Sequence, residues 1–158
     1  MKILQIRWQR LVDEHGETCE RCGATESAVD DAVQMLKQSG KGLGIEVVLE
    51  KSTLDISTFK ETPRESNRIW IGAKPLEDWL SATISESRCG SACEGENCRT
   101  LVVDGKAFEA IPSELIVKAG LLASAQLLEA EPPNGCTATE CQPQTASGCC
   151  EALKGCCG

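Results

Sequence analysis

Eleven of the 158 residues are cysteine, gathered into three clusters. The first is Cys19-Glu20-Arg21-Cys22, within "GETCERCGATESAVDDAVQML". Two thiolates two residues apart can exchange electrons with a disulfide, or they can hold a soft metal. The pair stands just ahead of an amphipathic helical pattern, where backbone N–H groups and the helix dipole favour a thiolate. Arg21 is expected to add a positive charge beside it. The second cluster, "CGSACEGENCRT", carries Cys89, Cys93 and Cys98 among Gly, Ser, Asn and Glu, which suits a loop and not a packed core element. The third comprises Cys136, Cys141 and two vicinal pairs, Cys149-Cys150 and Cys156-Cys157. Vicinal cysteines close a disulfide only through a strained small ring, whereas neighbouring thiolates on a flexible segment can wrap a soft ion.

The elements around these clusters must position them. "ILQIRWQRL" alternates, with Leu4, Ile6 and Trp8 on one face, and reads as a strand with one buried side. From about Thr25, a good N-cap type, Val29, Ala32, Val33 and Leu36 recur at helical spacing until Gly40, Gly42 and Gly44. "IEVVLE" is a second strand, so the first fifty residues form a βαβ unit with parallel strands. A link follows, with one short helix near Ile56–Lys60. In "NRIWIGAKPLEDWL", turn residues from Gly72 to Pro75 separate two short apolar runs and mark a hairpin or tight reversal. "RTLVVDGKAFEAI" is a clearer hairpin around Asp104-Gly105, and "PSELIVKAGLLASAQLLEA" is a closing helix with Ser113 as N-cap. The order is β-α-β-link-β-β-β-β-α, an α/β domain with a mixed sheet.

Strand parity gives this order a chemical consequence. The strand beginning near Arg68 is expected to run antiparallel to the first, and the reversal after it returns the chain toward Cys19. Cys89, Cys93 and Cys98 are then delivered to the neighbourhood of Cys19 and Cys22. Five thiols there would suffice for a tetrahedral four-cysteine zinc site with one to spare, or for a reactive pair with resolving cysteines.

From Glu131 onward the chain is rich in Pro, Gly, Ser and Thr, and Leu153 is almost its only large apolar side chain. Such a segment buries too little to offset the entropy of ordering, and it is expected to be disordered without a ligand. The domains are therefore 1–129, folded, and 130–158, a flexible Cys-rich tail.

Bulk properties narrow the function. A formal net charge of −8 argues against nucleic acid and anionic membrane surfaces as partners. Only five aromatic residues (Trp8, Phe59, Trp70, Trp79 and Phe108) are available for base stacking. The opening "MKILQIRWQR" has charges where a signal peptide needs its apolar stretch, so the expected location is cytoplasmic, where dense cysteine implies metal binding or redox chemistry. His15 reads as a solvated loop residue, and Glu77 and Asp78 as a surface face, not a catalytic acid pair. There is no phosphate loop, no Ser-His-Asp set and no nucleotide fingerprint, hence no organic cofactor.

"TCERC", "ESNRIWIGAKPLEDWL" and "CRTLVVDGKAFEAIPSELIVKAGL" together resemble an uncharacterised prokaryotic domain-of-unknown-function family with a thioredoxin-like fold, over roughly residues 1–125. The resemblance implies a thioredoxin-like mixed sheet flanked by helices and brings no activity with it. On its cysteines alone, the tail is similar to the C-terminal end of arsenical metallochaperones. One departure from thioredoxins bears on the chemistry. They place a proline directly before the strand that faces the CxxC pair, and "ESNRIWI" has none there, Pro63 lying upstream. That leaves the dithiol more open to a metal.

The functional expectation is a thiol protein that binds and transfers a soft metal or metalloid ion: zinc, copper(I), arsenic(III) or mercury(II). Its ligands would be drawn from Cys19, Cys22, Cys89, Cys93, Cys98, Cys149, Cys150, Cys156 and Cys157, and its partner would be the ion or a thiol-bearing protein. The alternative is a thiol-disulfide oxidoreductase, with Cys19 the attacking thiolate and Cys22 the resolving thiol.

Overall fold

The computed structural model describes residues 1–89 and 93–130 of the chain. The six cysteines from Cys136 to Cys157, and the expectation of a flexible tail with them, lie outside the described residues.

The βαβ unit is present. Strand β1 (Lys2–Leu11) is followed by helix α1 (Glu20–Lys41) and strand β2 (Ile45–Leu54). β1 and β2 pair in parallel over their whole lengths, from Lys2 opposite Ile45 to Leu11 opposite Leu54. A short helix α2 (Ile56–Glu61) follows, capped by the Asp55 carboxylate, which accepts the Thr58 N–H at 2.8 Å. A 3₁₀ turn (Pro63–Glu65) then leads into β3 (Arg68–Ile71), antiparallel to β1. β3 reverses through Gly72, whose φ of +59° suits a residue without a Cβ, and pairs with the two-residue strand β4 (Lys74–Pro75). The sheet order is β2-β1-β3-β4.

After β4 the structure departs from the sequence reading. "LEDWL" is the helix α3 (Leu76–Leu80), not a strand, and the next strand is β5 (Thr83–Arg88), in a stretch read as loop. β5 begins a second, antiparallel sheet with β6 (Asn97–Val103) and β7 (Lys106–Phe108), in the order β5-β6-β7. The expected single mixed sheet is thus divided in two. The turn between β6 and β7 falls at Asp104-Gly105, both with positive φ, as the hairpin pattern indicates. Helix α4 (Ser113–Glu129) closes the described domain, with Pro112 as its N-cap, one position earlier than the expected Ser113, which is the helix's first residue.

The architecture is a mixed α/β fold with helices flanking the sheets. Leu4, Ile6 and Trp8 of β1, Ile45 and Val47 of β2 and Ile69 and Ile71 of β3 point to one side. Val29, Ala32, Val33 and Leu36 of α1 and Ile116, Ala119 and Ala123 of α4 cover them. Both helices give up a contiguous apolar stripe at three- and four-residue spacing, which is what burial against a sheet requires. No helix among the described residues is long and apolar enough to cross a membrane.

Candidate metal centre

The thiol pair occupies the start of α1, which begins at Glu20, five residues before the N-cap that the sequence pattern suggested. The cap is Cys19 itself, with extended backbone angles and its carbonyl accepting the Gly23 N–H at 2.9 Å. Thr25 is instead a buried interior residue, and its hydroxyl accepts the Ile111 N–H at 3.1 Å, tying α1 to the approach to α4. The loop leading to Cys19 is shaped by Asp13, whose carboxylate accepts the backbone N–H groups of His15 and Glu17, each at 2.8 Å. Thr18 then donates its hydroxyl to the Leu11 carbonyl at 2.8 Å.

The second half of the site comes from the β5–β6 connection. The register sets Ser87 opposite Cys98 and Arg88 opposite Asn97, so Cys89 lies just past the end of β5. Its N–H donates to Glu96 O at 3.1 Å, and Glu96 N–H donates to Cys93 O at 3.0 Å, a turn that folds Cys93 back toward the strands. Glu94 and Gly95 both take positive φ in this turn.

The two halves meet. The Cys89 thiol donates to the Cys19 sulfur at 3.6 Å, and the Cys93 and Cys98 sulfurs are 3.5 Å apart. The sulfurs of Cys19, Cys89 and Cys93 all lie within 4.8 Å of one another and could hold a metal ion. Four sulfurs bound to one zinc at about 2.3 Å would sit ~3.8 Å apart, so an ion could be accommodated among thiols at these spacings with little movement. The expectation from strand parity is met: residues 70 positions apart along the chain share one cluster.

All five thiols are buried and unbridged. Cys22 hydrogen-bonds Cys19, and its sulfur also lies 3.9 Å from the Ser66 hydroxyl. Ser66 also accepts the Leu11 N–H at 3.1 Å, which fixes the end of β1 against the base of the site. No signal in "PRESN" announced Ser66, and its role comes from tertiary placement alone.

Charge in the cluster is shared unequally. Cys19 is held far below the ordinary thiol range, first by the hydrogen bond from the Cys22 thiol, then by that from Cys93. The Cys22 backbone N–H and the Cys89 thiol add to this, against a desolvation cost. Donation to Cys19 and burial push Cys22 upward. Cys93 is raised by its hydrogen bonds to Cys19 and Cys98. Burial pushes Cys89 up to about 12, and the Cys93 hydrogen bond brings Cys98 down to about 7. The metal-free cluster therefore carries its negative charge first on Cys19 and, around neutral pH, partly on Cys98, while Cys22, Cys89 and Cys93 keep their protons.

Arg21 brings its positive charge to the cluster at Cys98, not at Cys19, and its hydrogen bonds go elsewhere. Its guanidinium donates to the Ser87 hydroxyl at 2.9 Å, to the Ser87 carbonyl at 3.4 Å and to the Arg88 carbonyl. It also pairs with Glu109 at 2.8 Å, and Glu109 accepts from the Ser87 hydroxyl at 3.0 Å. The side chain thus clamps the start of α1 to the end of β5, one residue before Cys89. The depression of Cys19 comes from sulfur and backbone donors. Ser87 and Glu109 were not singled out from the sequence.

Two other expectations are settled here. His15 is exposed in its loop. Glu77 is no surface residue: its carboxylate pairs with the buried Arg99 guanidinium, which also donates to the Arg64 carbonyl at 2.8 Å. That pair braces β6 against the 3₁₀ turn and α3.

Fold and site together define a mixed α/β thiol-cluster domain, with its cysteines split between a helix N-terminus and a hairpin connection. Residues 4–120 match the family described as "Domain of unknown function (DUF2703)", and the chain belongs to that family. It is also 38% identical over 113 residues to an uncharacterized protein of Archaeoglobus fulgidus, a match covering 72% of this chain and 82% of the relative. No solved structure matches the chain.

Proposed function

We propose that the protein binds a soft metal or metalloid ion at the cluster of Cys19, Cys89 and Cys93, and passes it on through neighbouring thiols. One observation carries this reading: three buried sulfurs from two separate parts of the chain lie within 4.8 Å of one another. Bringing three thiols into one dry site has no benefit for packing that smaller apolar side chains could not supply. For a soft ion it supplies the ligands directly. Cys98, 3.5 Å from Cys93, and Cys22, at the base of the site, are the thiols nearest to an exchange step. The vicinal pairs Cys149-Cys150 and Cys156-Cys157 are the candidates for an outer capture arm.

A second reading is favoured by the 3.6 Å contact between Cys19 and Cys89 and by the thiolate character of Cys19. In it the protein is a thiol-disulfide oxidoreductase, Cys19 attacking and Cys22 or Cys89 resolving. The thioredoxin-like kinship implied by the sequence motifs belongs with this reading.

Native mass spectrometry of full-length protein purified without chelator or added thiol counts metals and disulfides together. We expect at least one ion per chain in wild type and one fewer in Cys19→Ser. Disulfide turnover that depends on Cys19, in protein carrying no ion, would install the oxidoreductase instead.

A further inference from the structure

We infer that the ion this site is built for is trivalent and three-coordinate, bound by Cys19, Cys89 and Cys93 as a neutral tris-thiolate, the chemistry of arsenic(III) or antimony(III). The inference rests on the proposed ion-binding function and adds the class of ion. Two independent observations carry it.

The first is the ligand count. Among the described residues only three sulfurs are mutually within 4.8 Å, and Cys98 and Cys22 stand outside that group although each lies close by. Cys98 touches Cys93 and Cys89, and Cys22 hydrogen-bonds Cys19 and the Ser66 hydroxyl, but neither sulfur comes within 4.8 Å of all three. A zinc-type ion asks for four ligands. A trivalent ion with a lone pair asks for three, in a pyramid, and leaves the fourth side bare.

The second is charge. Cys19, Cys89 and Cys93 are 9%, 8% and 0% exposed, so whatever net charge the complex carries is held largely out of water. A divalent ion with four thiolates is a dianion, and with three it is a monoanion. An uncompensated buried charge is costly. The basic side chain between the two thiols, Arg21, is already paired with Glu109 at 2.8 Å. The contacts to the three sulfurs come from other thiols and from the Cys22 backbone N–H, none of which carries a full positive charge. Three thiolates on a trivalent ion sum to zero.

Loading balances without any redox partner. Arsenous acid, As(OH)₃, the Cys19 thiolate, two thiols and one proton from solvent give As(SR)₃ and three waters. Two S–H and three As–O bonds break, three As–S bonds form, two hydroxides leave with thiol protons and the third with the solvent proton. Cys98, outside the tris-thiolate and touching Cys93, is then the first thiol able to displace Cys93 and begin release.

The test uses the full-length chain with Cys136→Ser, Cys141→Ser, Cys149→Ser, Cys150→Ser, Cys156→Ser and Cys157→Ser, so that tail thiols cannot contribute. Reduced protein is titrated with arsenite and, separately, with zinc, then alkylated and mapped. We expect one arsenic per chain, three sulfurs around it by X-ray absorption, and arsenite shielding Cys19, Cys89 and Cys93 but not Cys98. Zinc at equal concentration should not displace it. Adding Cys98→Ser should preserve binding, and adding Cys89→Ser should abolish it. Should Cys89→Ser fail to fold, the shielding map on the five remaining thiols decides. Zinc displacing arsenite with four sulfurs, Cys98 among them, would overturn this inference while leaving the ion-binding function standing. Binding of neither ion would overturn both.

Discussion

Arg21 lies between the two thiols of the pair, yet its guanidinium serves the strand opposite. Its contacts to Ser87, Arg88 and Glu109 span α1, β5 and the segment before α4. Glu109 is more than half exposed, so the ion pair itself contributes little, and most of the value lies in the backbone carbonyls that Arg21 satisfies. Arg21→Ala is expected to cost about 2 kcal/mol by thermal or urea denaturation, whereas Glu109→Gln costs well under 1 kcal/mol. Because the clamp sets Cys89 against Cys19, Arg21→Ala should also weaken ion binding, and Arg21→Lys should restore stability better than binding, since an ammonium cannot reach all these acceptors at once. Equal ion affinity in wild type and Arg21→Ala would refute the clamp. Cys19 supports a separate prediction. With its pKa depressed, the thiolate persists as pH falls, and protonation begins only near the lowered folded value. Its alkylation rate in reduced, metal-free protein should therefore stay flat between pH 6 and 8, while an unperturbed thiol gains roughly tenfold per unit over the same range. Brief treatment with limiting iodoacetamide and peptide mapping, with Cys136 as internal reference, reads this out. A Cys19 rate that climbs in parallel with Cys136 would show that no thiolate is held there.

At the scale of elements, α1 carries a test of close packing in two glycines. A Cβ on Gly40 would lie 2.6 Å from the Ile45 backbone carbonyl, because the helix end passes directly over the start of β2. A Cβ on Gly23 would meet nothing within 4 Å. Gly40→Ala is therefore expected to destabilise by about 1–3 kcal/mol despite the helix preference of alanine, and Gly23→Ala to stabilise by roughly 0.5–1 kcal/mol. The same substitution should change denaturation midpoints in opposite directions, and equal signs would mean that the packing of α1 on β2 is wrong. This helix also shows what sequence pattern conveys. Val29, Ala32, Val33 and Leu36 announce its buried stripe, but the pattern puts its start at Thr25, because a threonine before an apolar repeat has the chemistry of a cap. Cys19 took that position instead, and Thr25 was buried to serve the Ile111 N–H. The exchange of strand for helix at "LEDWL" has a similar cause. Five residues with apolar ends fit either period, and the deciding contacts are tertiary: Leu76 and Leu80 are buried, and Trp79 donates its indole N–H to the Ile71 carbonyl at 3.0 Å. β5 was missed because "TISESR" shows no fully buried side, its partner β6 carrying the buried residues of that pair. β3 does run against β1 and the chain does return after Gly72, so the convergence was expected, although β5 of the second sheet and not a strand at "LEDWL" delivers Cys89. The clamp was not, because nothing local marks Ser87 or Glu109 as its acceptors.

At the scale of the whole molecule, five buried thiols lie in the described domain, and six more cysteines fall along residues 131–158, outside the described residues. The domain site is fixed by hydrogen-bonded strands and a helix start, so its affinity reflects ligands already in place. If residues 131–158 are the flexible arm that their composition suggests, their cysteines would be gathered by the ion itself, at an entropic cost for each residue ordered. Capture by the tail and retention by the domain would then run downhill in affinity, a direction suited to loading. α4 ends at Glu129, and the described core is closed by residues before it, so removing 131–158 is expected to leave the melting transition within about 0.5 kcal/mol of wild type. Ion stoichiometry should fall to that of the domain site alone, and the rate of loading from a dilute ion solution should fall with it. Cys19→Ser in the full-length chain should do the reverse, sparing tail-dependent binding and removing the tightly held ion. Stopped-flow loading and equilibrium titration on the three proteins separate these effects. A truncated protein that loads as fast and as fully as wild type would leave the tail without a part in ion handling, and the domain cluster as the complete site.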